Sequence, residues 1–108
     1  MNYTIEKLTT LIGARRYGDS DASIGFILTD SRSLCFPEET LFFALKSDRN
    51  DGHNYISELY RRGVRNFVVS EVPMGWASDY PEANFLKVVN TLEAFARDAH
   101  EARQARAG

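Results

Sequence analysis

Leu41-Phe42-Phe43-Ala44-Leu45 is an unbroken apolar run between two polar, turn-forming segments. Pro37-Glu38-Glu39 precedes it, and Lys46-Ser47-Asp48-Arg49-Asn50-Asp51-Gly52-His53 follows. A half-exposed strand alternates apolar and polar side chains, so a run without polar members suits a strand covered on both faces. Phe67-Val68-Val69, inside Val64 to Ser70, reads the same way. Between the two runs, Ile56, Leu59 and Tyr60 share one helical face and Gly63 supplies a stop. Strand, helix and strand from Leu41 to Ser70 therefore predict a right-handed crossover between parallel strands.

The remaining elements fit around that unit. Thr4 can cap a short helix with Glu6 in its first turn and Ile5, Leu8, Leu11 and Ile12 on one face, ending at Gly13. Arg15 to Ser23 is polar and turn-like, and Ile24 to Thr29 reads as a strand. Glu71 to Glu82 carries two prolines and the only tryptophan, Trp76, and reads as a loop. Asn84 to Val89 is a fourth strand. Asn90 with Glu93 resembles a capping box, opening a last helix whose apolar face is Leu92, Phe95, Ala96 and Ala99. The expected fold class is α/β: one small, three-layer-like sandwich with a short mixed sheet flanked by helices.

Composition narrows the function classes. At 108 residues the chain is one domain, and 44% apolar with 12% aromatic content excludes disorder. Lys and Arg total 13 against 15 Asp and Glu, a net charge of −2, which gives no footprint for nucleic acid or an anionic membrane. No apolar run approaches the roughly 18–20 residues of a membrane span, and the first residues lack signal-peptide order. The single cysteine, Cys35, excludes an internal disulfide and suits a reducing compartment. A cytoplasmic protein is expected.

Residues for catalysis are sparse. His53 and His100 are the only histidines, and neither has a Cys or His partner at metal-ligand spacing, so each is expected to be structural or exposed. Cys35, beside Phe36 and Pro37, is expected to be a small packing residue. Neither a phosphate loop nor a dinucleotide fingerprint is present.

Two segments suit binding. Thr29-Asp30-Ser31-Arg32 follows a strand, and ligands of open α/β sheets collect at the carboxyl ends of strands. Ser31 offers a hydroxyl and Arg32 a guanidinium fork that matches phosphate. The same residues also make sense as a capped turn with Asp30 and Arg32 paired locally. Ser47 to Gly52 follows a strand and precedes a helix, where backbone amides accept an anion or the polar edge of a base. A plain polar loop is the alternative.

In this order the segments resemble the N-terminal domain of the Mur ligases, which build the peptide of bacterial peptidoglycan. The family pattern runs Asp-Ser/Thr-Arg, then Leu-Phe-x-Ala-Leu-x-Gly-x-x-x-Asp-Gly/Ala-His, then a helix ending in Gly-Ala/Val and a Val-Val strand. Its counterparts are Asp30-Ser31-Arg32, Leu41 to Ser47, Asp51-Gly52-His53, Gly63-Val64 and Phe67-Val68-Val69. The likeness spans about residues 3 to 94. Residues 1–94 are thus read as the domain and 95–108 as the end of the last helix and a tail. Ala44-Leu45-Lys46 and Asp51-Gly52-His53 look most like the MurF type, which adds D-alanyl-D-alanine; the MurE type is the alternative.

The resemblance implies that this domain holds the uridine diphosphate end of a UDP-MurNAc-peptide. Thr29 and Ser31 match positions that contact the nucleotide, with Arg32 beside them. Asp48, Arg49 and Asn50 match the loop against uracil and ribose, although Ser47 replaces the family's usual Gly. It also implies central and C-terminal domains elsewhere, using ATP and Mg²⁺, with the present chain inactive alone. Fusion of a MurF-like ligase to an alanine racemase is a further possibility within the family, and a docking domain without nucleotide is the competing reading.

Overall fold

The computed structural model describes residues 3–46 and 50–96. In chain order the elements are β1 (Tyr3–Thr4), α1 (Ile5–Leu11), β2 (Arg15–Tyr17), β3 (Ser23–Ile24), β4 (Phe26–Leu28), β5 (Thr40–Phe43), α2 (Ile56–Arg61), β6 (Asn66–Val69), α3 (Trp76–Asp79) and β7 (Asn84–Lys87). A last helix, α4, covers 91–96. Short 3-10 turns at Ser31–Ser33, Pro37–Glu39 and Gly52–Tyr55 shape the connections.

Five strands form one mixed sheet in the order β2-β7-β6-β5-β4. β4, β5, β6 and β7 run parallel, and β2 joins antiparallel to β7. β5 and β6, which take in the apolar runs up to Phe43 and Val69, are buried at every residue. Alternation within them feeds two cores. Leu41 and Phe43 join Val68, Leu86 and α1 residues Ile5 and Leu8, with Ala94 of α4, on one face. Phe42 and Ala44 join Phe67, Val69, Phe85 and α2 residues Ile56 and Leu59 on the other. Helices therefore cover both faces, giving the three-layer arrangement expected from the sequence.

The helix signals act locally. Thr4 accepts the Lys7 backbone N–H at 3.2 Å and caps α1. Gly63 takes φ 108 just past α2, a conformation that costs a side-chain-bearing residue more than glycine. Asn90 accepts the Glu93 backbone N–H at 3.0 Å, the half of the capping box that opens α4.

Three expectations need correction. Arg15–Tyr17, expected as turn-like, is the edge strand β2. Its long side chains stabilise the edge without an apolar pattern: Arg15 lies over the Tyr17 ring, and Arg16 donates to the Ser20 carbonyl at 2.7 Å. Ile24 to Thr29 is not one strand. At Gly25 the chain leaves the small β1–β3 sheet and enters the main one, with the Gly25 N–H bonded to Glu39 O. Within the expected loop, Trp76 starts a single helical turn and packs edge-on against Tyr17 and Phe85.

Candidate functional site

Because β4 to β7 are parallel, the chain leaves all four at the same edge of the sheet. A groove of about 580 Å³ opens there, lined by Thr29 to Arg32, by Leu45, Lys46, Asn50, Gly52 and Tyr55, and by Leu92. The Thr29–Arg32 segment and the described residues Asn50 and Gly52 of the second segment thus face one space, although 17 residues separate Arg32 from Asn50 in sequence. Of the expected site residues, Thr29, Ser31, Arg32 and Asn50 line the groove. Ser47, Asp48 and Arg49 lie outside the described residues, as do His100 and the tail from 97.

The first arm is a 3-10 turn capped by Asp30, whose carboxylate accepts the Arg32 backbone N–H at 2.9 Å. The same carboxylate holds the guanidinium: Nη2 donates to Oδ2 at 2.9 Å and Nε to Oδ1 at 3.1 Å. That hydrogen bonding holds the Asp30 carboxyl below its ordinary range and raises Arg32. Local pairing is therefore the arrangement Arg32 adopts. It is an exposed ion pair, weakened by solvent, and the guanidinium can still be shared with an incoming anion. From the other side Arg62 donates to the Ser31 carbonyl at 3.0 Å. The hydroxyls of Thr29 and Ser31 and the Lys46 ammonium make no hydrogen bond among the described residues, and all three residues line the groove.

The second arm is closed at its base. Lys46 and Asp51 form an antiparallel bridge, and Gly52 N–H donates to Leu45 O at 2.7 Å. Asp51 then accepts both the His53 backbone N–H, at 3.0 Å, and the ring Nδ1, at 2.6 Å. Nε2 accepts the Ser70 backbone N–H at 3.0 Å, so the ring ties this arm to the end of β6. Ser70 Oγ also lies 3.3 Å from Nε2. A backbone donor occupies the lone pair that a general base would need, so Asp51, His53 and Ser70 form a structural tie and not a nucleophile triad.

The Asp51 carboxyl titrates below its usual 3.8, first because the His53 backbone N–H donates to it; partial burial opposes the shift, and the His53 ring and the Lys46 charge add to it. A carboxylate depressed by folding stabilises the fold fully above its unfolded pKa, and that contribution is lost as pH falls through the folded value. Stability is accordingly expected to fall as the medium is acidified below 3.8. Asp51→Asn should flatten this acid limb. Urea melts of both proteins on either side of that pH check it; parallel acid limbs would show that Asp51 does not contribute.

Two residues were misjudged from sequence. Cys35 is exposed, because the connection between the two 3-10 turns runs over the surface and gives it nothing to pack against. Leu92, expected on the buried face of α4, is 59% exposed and lines the groove. Among the described residues no group of His, Cys, Asp or Glu could hold a metal ion, and no helix is long and apolar enough to cross a membrane.

No family model matches the sequence, and no curated protein matches it. Solved structures do. UDP-N-acetylmuramoylalanyl-D-glutamyl-2,6-diaminopimelate–D-alanyl-D-alanyl ligase from Acinetobacter baumannii aligns with a TM-score of 0.74 at 25% identity, over 90% of this chain and 20% of that one. Crystal structures I and II of MurF from the same organism give TM-scores of 0.74 and 0.75 at 25% and 24% identity, with the same coverage. The mixed five-stranded sheet flanked by helices matches a Mur ligase N-terminal domain, and the present chain spans a fifth of the ligases' length.

Proposed function

We propose that this chain is the substrate-binding N-terminal domain of a peptidoglycan-precursor ligase of the MurF type, and that its groove holds the uridine diphosphate end of a UDP-MurNAc-peptide. The supporting observation is the groove itself: Thr29, Ser31, Arg32 and Lys46 converge with Asn50 at the carboxyl ends of adjacent parallel strands. Two hydroxyls and two cations suit a diphosphate, and Asn50 suits the polar edge of a base. Asp48 and Arg49, outside the described residues, are proposed contacts for the uracil and ribose.

The mechanism of such a module is positional. Holding a remote, unreacting part of the substrate lets the parent enzyme orient the reacting carboxylate elsewhere. The parent reaction is an ATP-dependent ligation in the cytoplasm, with ATP and Mg²⁺ bound by a central domain and the incoming amine brought by a C-terminal one. No residue of this chain is assigned to either cofactor. A docking role without nucleotide is the second reading, favoured by the Asp30–Arg32 pair that already occupies the guanidinium.

An amide NMR titration of the chain with UDP, taken to millimolar ligand, separates the two readings; a millimolar constant is only about 4 kcal/mol. Saturable shifts confined to the two arms are expected. No shift at any residue would favour docking. Ser31→Ala should weaken UDP about ten-fold, the cost of one hydrogen bond to a charged group, with little change in Tm. Unfolding of that variant would instead make Ser31 a structural turn residue.

A further inference from the structure

α4 presents an anomaly. Its sequence places a large apolar residue, Leu92, between Thr91 and Ala94, yet Thr91 is 3% and Ala94 4% exposed while Leu92 is 59% exposed. Phe95 is half-buried and packs edge-on against Phe43 at 5.5 Å. The helix thus buries its threonine and leaves its leucine in solvent, opposite to what transfer from water favours. The orientation is set at its start, where Asn90 caps the Glu93 N–H, and by the Phe43–Phe95 contact.

Leu92 does not project onto featureless surface. It lines the same groove as the Thr29–Arg32 turn, where the other large apolar or aromatic lining residues are Leu45 and Tyr55. All remaining lining residues are polar, charged or glycine. A wholly polar groove would suit a free phosphate. This one adds an apolar wall to a set of hydroxyls, cations and an amide, and the ligand chemistry that uses both is a phosphorylated compound carrying a flat ring. A pyrimidine offers polar edges to Asn50 and an apolar face that gains by leaving water.

We propose that Leu92 is a specificity-determining residue of the groove, packing against the face of the nucleobase while the Thr29–Arg32 turn and Lys46 take the phosphates. This rests on the nucleotide reading of the groove. It separates the site into a part that recognises charge and a part that recognises the ring. Leu92 then selects nucleoside diphosphates over inorganic pyrophosphate and sugar phosphates.

The test uses the whole chain with leucine methyl groups labelled, titrated with UDP and with inorganic pyrophosphate. UDP should move the Leu92 methyl resonances upfield by ring current, and pyrophosphate should leave them in place. Leu92→Ala should weaken UDP about five-fold, the loss of part of one apolar contact, and leave pyrophosphate binding unaltered. Its Tm should stay within about 2–4 °C of the parent, since an exposed side chain contributes little to folding. UDP shifts at Thr29–Arg32 with unmoved Leu92 methyls and an unchanged Leu92→Ala affinity would overturn the proposal and leave the nucleotide site standing. Leu92 would then be a surface residue for another protein segment. Absence of any UDP shift in the parent chain would overturn both.

Discussion

Gly52→Ala is expected to lower Tm by about 15 °C and to abolish UDP shifts in both arms of the groove. A Cβ at Gly52 would sit 2.8 Å from Ala44 Cα and 2.9 Å from both Ala44 C and Leu45 N. All three are backbone atoms of the segment leaving β5, so no side chain can rotate away. Ala44 is pinned in turn, its N–H bonded to Val68 O at 2.9 Å. Relief must come from moving Gly52 away from Ala44, which breaks the Gly52 N–H to Leu45 O bond. Overpacking of this kind costs about 3 kcal/mol, and each kcal/mol moves Tm by about 4–8 °C in a domain of this size. A thermal melt reads the first effect and the NMR titration the second. A drop of only a few degrees with UDP binding intact would mean that the arm moves freely and is not fixed by this contact.

Phe67→Ala should be the most damaging side-chain truncation. Leu28, Phe42, Phe67, Phe85 and Tyr17 are in register across all five strands. The Phe67–Phe85 register is set by the β6–β7 pairing. Phe67 is wholly buried at the centre, stacked on Phe85 at 5.3 Å and edge-on to Phe42 at 6.4 Å. Removing its ring deletes apolar burial and leaves a cavity that two other rings cannot close. The expected cost is about 3–5 kcal/mol, a large share of the roughly 5–15 kcal/mol that holds small domains folded. The urea midpoint should fall accordingly, with the slope unchanged. Met74→Ala, at a residue 97% exposed, should leave the midpoint where it is. Equal losses in the two variants would refute a core centred on Phe67.

These predictions differ in how far sequence could have anticipated them. Phe67 announces itself: a Phe-Val-Val run after a helix stop has few other places to go. Gly52 does not, because its need for glycine comes from the approach of Ala44, eight residues earlier in the chain, and not from its own φ. The tie of His53 to the Ser70 N–H is equally invisible, since it joins the turn before α2 to the residue that follows β6, 17 positions on. Arg15–Tyr17 carries no apolar alternation, and its strand exists because β7 offers it a ladder. Leu92 misled by periodicity: counting every third and fourth residue identifies a face, and the neighbouring core decides which face turns inward.

The sequence by itself determined the elements whose signals are local. These are the buried strands inside the runs Leu41 to Leu45 and Phe67 to Val69, observed as Thr40–Phe43 and Asn66–Val69, the Thr4 and Asn90 caps, the stop at Gly63, and two polar segments after strands. Each follows from side chains within a few residues, where apolar transfer, capping and backbone preference act without knowledge of the rest of the chain. Only the tertiary structure decided that the Thr29–Arg32 turn shares one groove with Lys46, Asn50 and Gly52, and that Leu92 faces that groove while Thr91 is buried. The reason is that strand order and helix rotation are set by pairing and packing between distant residues, which no local pattern encodes.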